Sequence, residues 1–437
     1  MTKLTRRQWL TGSATIAAGL LIAPTGCATA GNSPAEANPT SNPDLSDWQA
    51  VRDQFDADPE LIHMAAMLLS THPESVREAI EFHRRGFDEN PVDHLLERWN
   101  LPPRARDRDD DELAMGAAAD YLGMDAANIA LTGNTTKGLA MVYGGLQVRA
   151  DQEVLTAHWN HWASEGSLQY AAQKKGFEIR RATLFDDIHH TSPDELTERL
   201  VDQITAQTRV VAATWVHSNT GLKLPVAQMG RRIDELNQGR AAADQVLFCV
   251  DGVHGFGVEN IGFADLNCHF FIAGCHKWLF GPRGTGIVAA SPHGWSEAVP
   301  TTPSFIGSDT PGRRFTPGGF HAFEHRFALA EAFEFHQKIG KERIEGRIHG
   351  LADHLIEELS QMNHITLNTP TDPDLRAGIV TFEVTGHGTY PVVEHLRHRG
   401  IIASTTPGDR RIPRLSPGLL NDHEDIEATV AALTELA

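Results

Sequence analysis

Two stretches decide the reading of this chain: "QVLFCVDGVHGFG", residues 245–257, and "HFFIAGCHKWLFGPRGTGIVAAS", residues 269–291. Each holds a short apolar run that ends in a small polar cluster, the first at Asp251 and the second at Lys277. Runs this short, without alternation, suit strands buried on both faces of a sheet. A carboxylate after such a run is costly unless a cation faces it. A lysine among apolar neighbours and next to His276 has its amine pushed toward the neutral, nucleophilic form.

Working upstream, the same texture repeats. "NIALTG", "EVLTA", "FEIRRATL" and "TRVVAATWV" read as strands, and between them "TTKGLAMVYGGL", "SEGSLQYAAQKKG", "SPDELTERLVDQI" and "PVAQMGRRIDELNQ" read as helices. Strands alternating with helices predict a mostly parallel sheet covered on both faces. Ligands of such sheets sit at the carboxyl ends of the strands. There the polar clusters "GNTTKG", "HWNHW", "HSNTG", "DGVH" and "CHKW" are expected to converge. An Asp facing a pyridinium nitrogen and a Lys that bonds an aldehyde carbon are the two requirements of pyridoxal phosphate chemistry. Thr135 and Thr136 open a helix whose free N–H groups suit a phosphate.

At this point a resemblance enters. "VDGVHGFG" followed by "AGCHKWLFGPRGTG", with "NIALTGNTTKGLA", "TWVHSNTGLKLP", "RFTPGGFHAFEHRFAL" and "IPRLSPGLLNDHEDIE", resembles the class V aminotransferases, a fold-type I family. The likeness runs from about Leu61 to the C-terminus and is greatest to the isopenicillin N epimerase-like branch, which sits beside the cysteine desulfurases. It implies the pyridoxal phosphate-dependent transferase fold, with a seven-stranded type of sheet flanked by helices and a smaller C-terminal α+β domain. It implies that Lys277 bonds the cofactor, that Asp251 pairs with its ring nitrogen, and that His254 meets its phenolic oxygen. Thr135, Thr136 and His276 would hold the phosphate, and Thr316 would reach the phosphate of the neighbouring subunit in a homodimer. Arg414 would grip a substrate carboxylate.

Some positions depart from the family pattern. Gly274 stands where desulfurases carry a serine, which removes a phosphate donor. The residue stacking on the ring is Trp159 counted from the strand or His161 counted from the helix, with His161 preferred. Ser218 and Asn219 compete for the contact beside the ring, with Asn219 preferred. "IHMAAMLL" lacks the asparagines that many relatives carry there. The last cysteine is Cys275, so the cysteine that desulfurases use in their C-terminal third is missing.

The implied activity is chemistry at Cα of an amino acid, by transamination or epimerisation. A β-eliminating C–S lyase is the alternative. Readings from other classes are an exported His-rich metal-binding protein, suggested by 23 histidines including His158, His161, His189 and His190, and a binding module without turnover. No cluster of carboxylate or cysteine ligands accompanies the His158 to His161 spacing in the sequence, which speaks against the first, and the complete Lys, Asp and phosphate-binding set speaks against the second.

With 437 residues and a formal net charge of -19, the chain has room for a large core and repels nucleic acid. Residues 1–30 read as a twin-arginine signal, with Arg6 and Arg7 ahead of the apolar run Ile16–Ala23 and a cleavage site near Ala30 preferred over lipidation at Cys27. That reading implies passage through the twin-arginine export machinery to the periplasm. Residues 31–44 read as a linker, 45–315 as the cofactor-binding domain and 316–437 as the small domain.

Overall fold

A computed structural model describes residues 44–101, 109–408 and 410–437. The twin-arginine segment, Cys27 and the linker up to residue 43 lie outside the described residues.

The main sheet has seven strands: β1 (Ile129–Thr132), β2 (Glu153–Ala157), β3 (Glu178–Ala182), β4 (Thr208–Thr214), β5 (Leu247–Asp251), β6 (Phe270–Gly274) and β7 (Gly286–Ala290). Their order is β1-β7-β6-β5-β4-β2-β3, and β7 is antiparallel to both of its neighbours. The expected α/β architecture is therefore present. Side chains alternate strictly between faces, as a period of two requires. Val211, Ala213, Phe248, Val250, Phe271 and Ala273 enter one apolar core. Val210, Ala212, Leu247, Cys249, Phe270 and Ile272 enter the other. Burial on both faces is why these strands read as unbroken apolar runs.

Helix α1 (Thr135–Gly145) follows β1, with the Asn134 side chain accepting from the Lys137 N–H as its cap. Helix α2 (Trp162–Lys175) follows β2 and ends at Gly176, whose φ of 83° a glycine adopts without strain. The strand order reverses between β2 and β4, so the chain leaves a crevice at their carboxyl ends.

A second, four-stranded antiparallel sheet orders Ser404–Thr405, Pro413–Leu415, Val380–Val384 and Ile365–Leu367. It shares a core with Leu351, Leu355 and Leu359 of the helix Lys341–Ser360. That helix begins elsewhere, since Ile344 and Ile348 belong to the core under the main sheet. Ile62–His63 pairs in parallel with Ile401–Ile402, which ties the start of the described chain to its last third. The stretch "HRFALAEAFEFHQKIG" reads as one helix but forms two, Phe323–Phe327 and Leu329–Ile339. Its first turn is held apart from the second helix's course by side-chain bonds, His325 to the Arg283 carbonyl and Arg326 to the buried Asp111.

Candidate active site

Asp251 is the last residue of β5 and 1% exposed. Lys277 follows β6 by three residues. Its loop is closed by Gly281 N–H donating to the Cys275 carbonyl at 2.7 Å and Phe280 N–H donating to the Lys277 carbonyl at 3.0 Å. Phe280 takes a φ of 57°, a costly conformation for an aromatic residue, and its ring packs 4.9 Å from Phe55. The turn thus fixes the backbone that carries Lys277.

One cavity of about 230 Å³ is lined by Asn134, Thr135, Thr136, His161, Ala163, Asp251, Val253, His254, His276 and Lys277. Nine of these ten, all but Ala163, come from the polar clusters that the strand ends were expected to bring together. Lys277 Nζ lies 3.5 Å from His254 Nε2. Burial lowers the ammonium of Lys277 while Asp251 opposes that shift. Burial raises the carboxyl of Asp251, against the Val253 N–H and the Lys277 charge. His254 is held well below its ordinary range, first by burial and then by Lys277 and Arg414. His161 falls to about 4 for the same reasons. Near neutral pH both imidazoles are uncharged and act as hydrogen-bonding groups.

Of the two aromatic candidates, His161 lines the cavity and its Nδ1 accepts from the Ala163 N–H, capping α2. Trp159 instead stacks on Phe185, at 6.2 Å and 13°. The histidines behind the metal-binding reading do not converge: His189 meets the Leu367 carbonyl and His190 meets Asp187.

Arg414 sits in the strand Pro413–Leu415, 3% exposed. Its Nε donates to Ser404 Oγ at 3.1 Å and an Nη donates to the Ser218 carbonyl at 2.7 Å. Burial lowers its pKa to about 10, and its charge in turn pushes Lys277 toward the neutral form. A buried guanidinium held by two neutral acceptors, near enough to Lys277, His161 and His254 for its charge to act on all three, is matched to an incoming carboxylate. Ser404 and the Ser218 carbonyl, which aim it, were not visible in the sequence. Ser404 reads there as one more strand residue. Asn219 is half-buried outside the lining residues, with its amide oxygen unpartnered.

Thr316 requires a correction. It is wholly buried, its hydroxyl donates to the Gly312 carbonyl at 2.8 Å, and the same oxygen accepts from the Leu131 N–H at 3.0 Å. A hydroxyl committed twice within its own chain does not reach a neighbour's phosphate.

Gly274 has a local reason. A Cβ there would lie 3.0 Å from Thr135 Oγ1 and 3.2 Å from the His276 ring. The Gly274 N–H donates to that same hydroxyl at 2.9 Å, so the glycine lets Thr135 close onto the strand end.

The chemistry of the set fits pyridoxal phosphate. Asp251 is a buried carboxylate whose one described hydrogen bond, from the Val253 N–H, is 3.4 Å long, and it needs a cation. His254 Nδ1 and His276 Nδ1 are buried without partners, and the first N–H groups of α1 open on the same space. A ring nitrogen, a phenolic oxygen, a phosphate and an aldehyde carbon answer these groups and Lys277 in turn. Fold and cavity together define a pyridoxal phosphate enzyme.

The chain belongs to the aminotransferase class-V family, whose model matches residues 114–427. It is 26% identical over 415 residues to isopenicillin N epimerase of Streptomyces clavuligerus, covering 90% of this chain and 99% of that one. It is 24% identical to a probable cysteine desulfurase of Halobacterium salinarum, covering 86% and 91%. Among solved structures it resembles a C-DES mutant with glycine covalently linked to its pyridoxal phosphate cofactor, with a TM-score of 0.78 at 21% identity over 88% of this chain and 99% of that one.

Proposed function

We propose that this protein acts at Cα of an amino acid substrate, by transamination or epimerisation. The observation that carries the reading is the meeting of Lys277, Asp251 and the start of α1 in one cavity, with Arg414 beside it. When bound, pyridoxal phosphate withdraws electrons from Cα and makes its C–H bond acidic. Thr135, Thr136 and His276 would hold the phosphate, and Asp251 would supply the negative charge facing the ring nitrogen. His161 would lie against the cofactor ring, and His254, whose Nε2 is 3.5 Å from Lys277 Nζ, would meet the phenolic oxygen. Arg414 fixes the substrate carboxylate, so that Cα stands within reach of Lys277 Nζ. That amine, kept partly neutral by burial, takes the α-proton and returns it.

The test uses the purified full chain reconstituted with pyridoxal phosphate. It should be yellow, and borohydride should bleach it while fixing the cofactor to the peptide that contains Lys277. Lys277→Ala should lose the absorption band. A wild-type protein that stays colourless would refute the reading. Exchange of the α-proton without formation of a 2-oxo acid would select epimerisation, and keto-acid formation with an added 2-oxo acid would select transamination.

The protein would work as a homodimer. This is supported by the exposed Phe305 and Phe320 and by the basic cavity of about 580 Å³ that Phe320 lines with Lys137, Lys174, His321 and Arg326. Twin-arginine export to the periplasm is supported by Arg6 and Arg7 ahead of Ile16–Ala23. Among the described residues no helix is long and apolar enough to cross a membrane.

A further inference from the structure

The segment Ala65–Ser70, "AAMLLS", runs between the two elements that hold the substrate in the reading above. At one end Ala65 bridges to Ser416, two residues beyond Arg414. The Ala66 N–H donates to the Ser416 carbonyl and the Met67 N–H donates to Ser416 Oγ, each at 3.2 Å. At the other end the Ser70 N–H donates to the carbonyl of His276, the residue before Lys277, at 3.2 Å. A turn closes the middle, where the Leu68 N–H meets the Ala65 carbonyl and Ser70 Oγ meets the Ala66 carbonyl. The anchors are buried, with Met67 1% and Ser70 7% exposed, while Leu68 and Leu69 between them are 52% and 54% exposed. Two adjacent leucines left open on a strap tied down at both ends have no packing role among the described residues that explains them.

An amino acid held at its carboxylate by Arg414 and at Cα by Lys277 has one substituent left to place, its side chain. The strap joins those two holds and carries no charged residue. We infer that Leu68 and Leu69 form the wall against which the substrate side chain rests, so that this enzyme takes amino acids with a long or bulky apolar side chain. This rests on the proposed amino acid chemistry at Lys277. It also accounts for "MAAMLL" in a stretch where many relatives place asparagines, since polar groups there would have to lose water when an apolar side chain arrives.

The experiment compares the reconstituted wild type with the double variant Leu68→Ser/Leu69→Ser. Norleucine, phenylalanine, alanine and glutamate are each titrated, with binding followed by the shift of the cofactor absorption band and turnover measured separately. The wild type should bind norleucine or phenylalanine at least about tenfold more tightly than alanine, and the double variant should lose about tenfold of that preference. Preference of the wild type for alanine or glutamate, or a preference that survives both substitutions, overturns the inference while leaving the cofactor chemistry standing. A change of oligomeric state on size exclusion without a change in preference also overturns it, because the leucines then face a second copy. If the wild type forms no absorption band at all, the underlying reading has failed and the inference falls with it.

Discussion

Replacing Arg414 with methionine separates a binding role from a structural one, because the two predict opposite signs of stability. The guanidinium is 3% exposed, and burial takes its pKa down to about 10. Measured against the ordinary guanidinium range, at about 1.4 kcal/mol per pH unit, that lowering corresponds to about 3 kcal/mol of unfavourable desolvation. Methionine fills similar volume without the charge and removes this cost. It also strands two neutral acceptors, Ser404 Oγ and the Ser218 carbonyl, at about 1 kcal/mol each. The net expectation is a protein about 1 kcal/mol more stable than the wild type, read by urea denaturation of the cofactor-free form. Substrate binding should move the other way. Losing a charge-assisted pair to a carboxylate costs about 3 to 4 kcal/mol, a loss of a hundredfold to a thousandfold in affinity, read from the spectral shift of the reconstituted enzyme. A variant that unfolds more than 1 kcal/mol more easily yet binds amino acids as before would refute the reasoning.

Gly274→Ser adds a hydroxyl near the proposed phosphate site but crowds Thr135 Oγ1, whose distance from a Cβ at that position is 3.0 Å. Cofactor affinity, measured by dialysis and return of the absorption band, should fall by roughly threefold to tenfold; tighter binding would show that Thr135 has room to move. His336 is fully buried against Tyr121, Phe280 and Phe335, and burial lowers its pKa to about 3. Its folded value lies below the unfolded value of about 6.5, so the stability tied to the neutral ring is complete above that pH and is lost progressively as pH falls toward the folded value. Between pH 7 and 5 the wild type should therefore lose about 2 kcal/mol more than His336→Phe does, compared by urea denaturation at the two pH values.

The sequence determined the sheet and the chemical inventory. Runs such as "VLFCV" and "FFIA" specify strands because burial on both faces leaves no polar alternation to obscure them. Asp251 and Lys277 were legible because a charge ending such a run has few other reasons to be there. Other site features were beyond its reach, for reasons of distance along the chain. Counting back from the helix already preferred His161 over Trp159, but the contacts that separate them, the cap on α2 and the stack on Phe185, are not written in that spacing. Thr316 belongs to a motif whose residue types suit a phosphate, yet its hydroxyl is consumed by Gly312 and Leu131. The grip on Arg414 comes from Ser218, 196 residues away, and from Ser404. Residue types and periodicities belong to the chain, and they fixed the strands and the chemistry. Which hydroxyl stays free, which ring faces the cavity and where Leu68 and Leu69 come to rest depend on contacts between distant segments, and only the tertiary structure decided those.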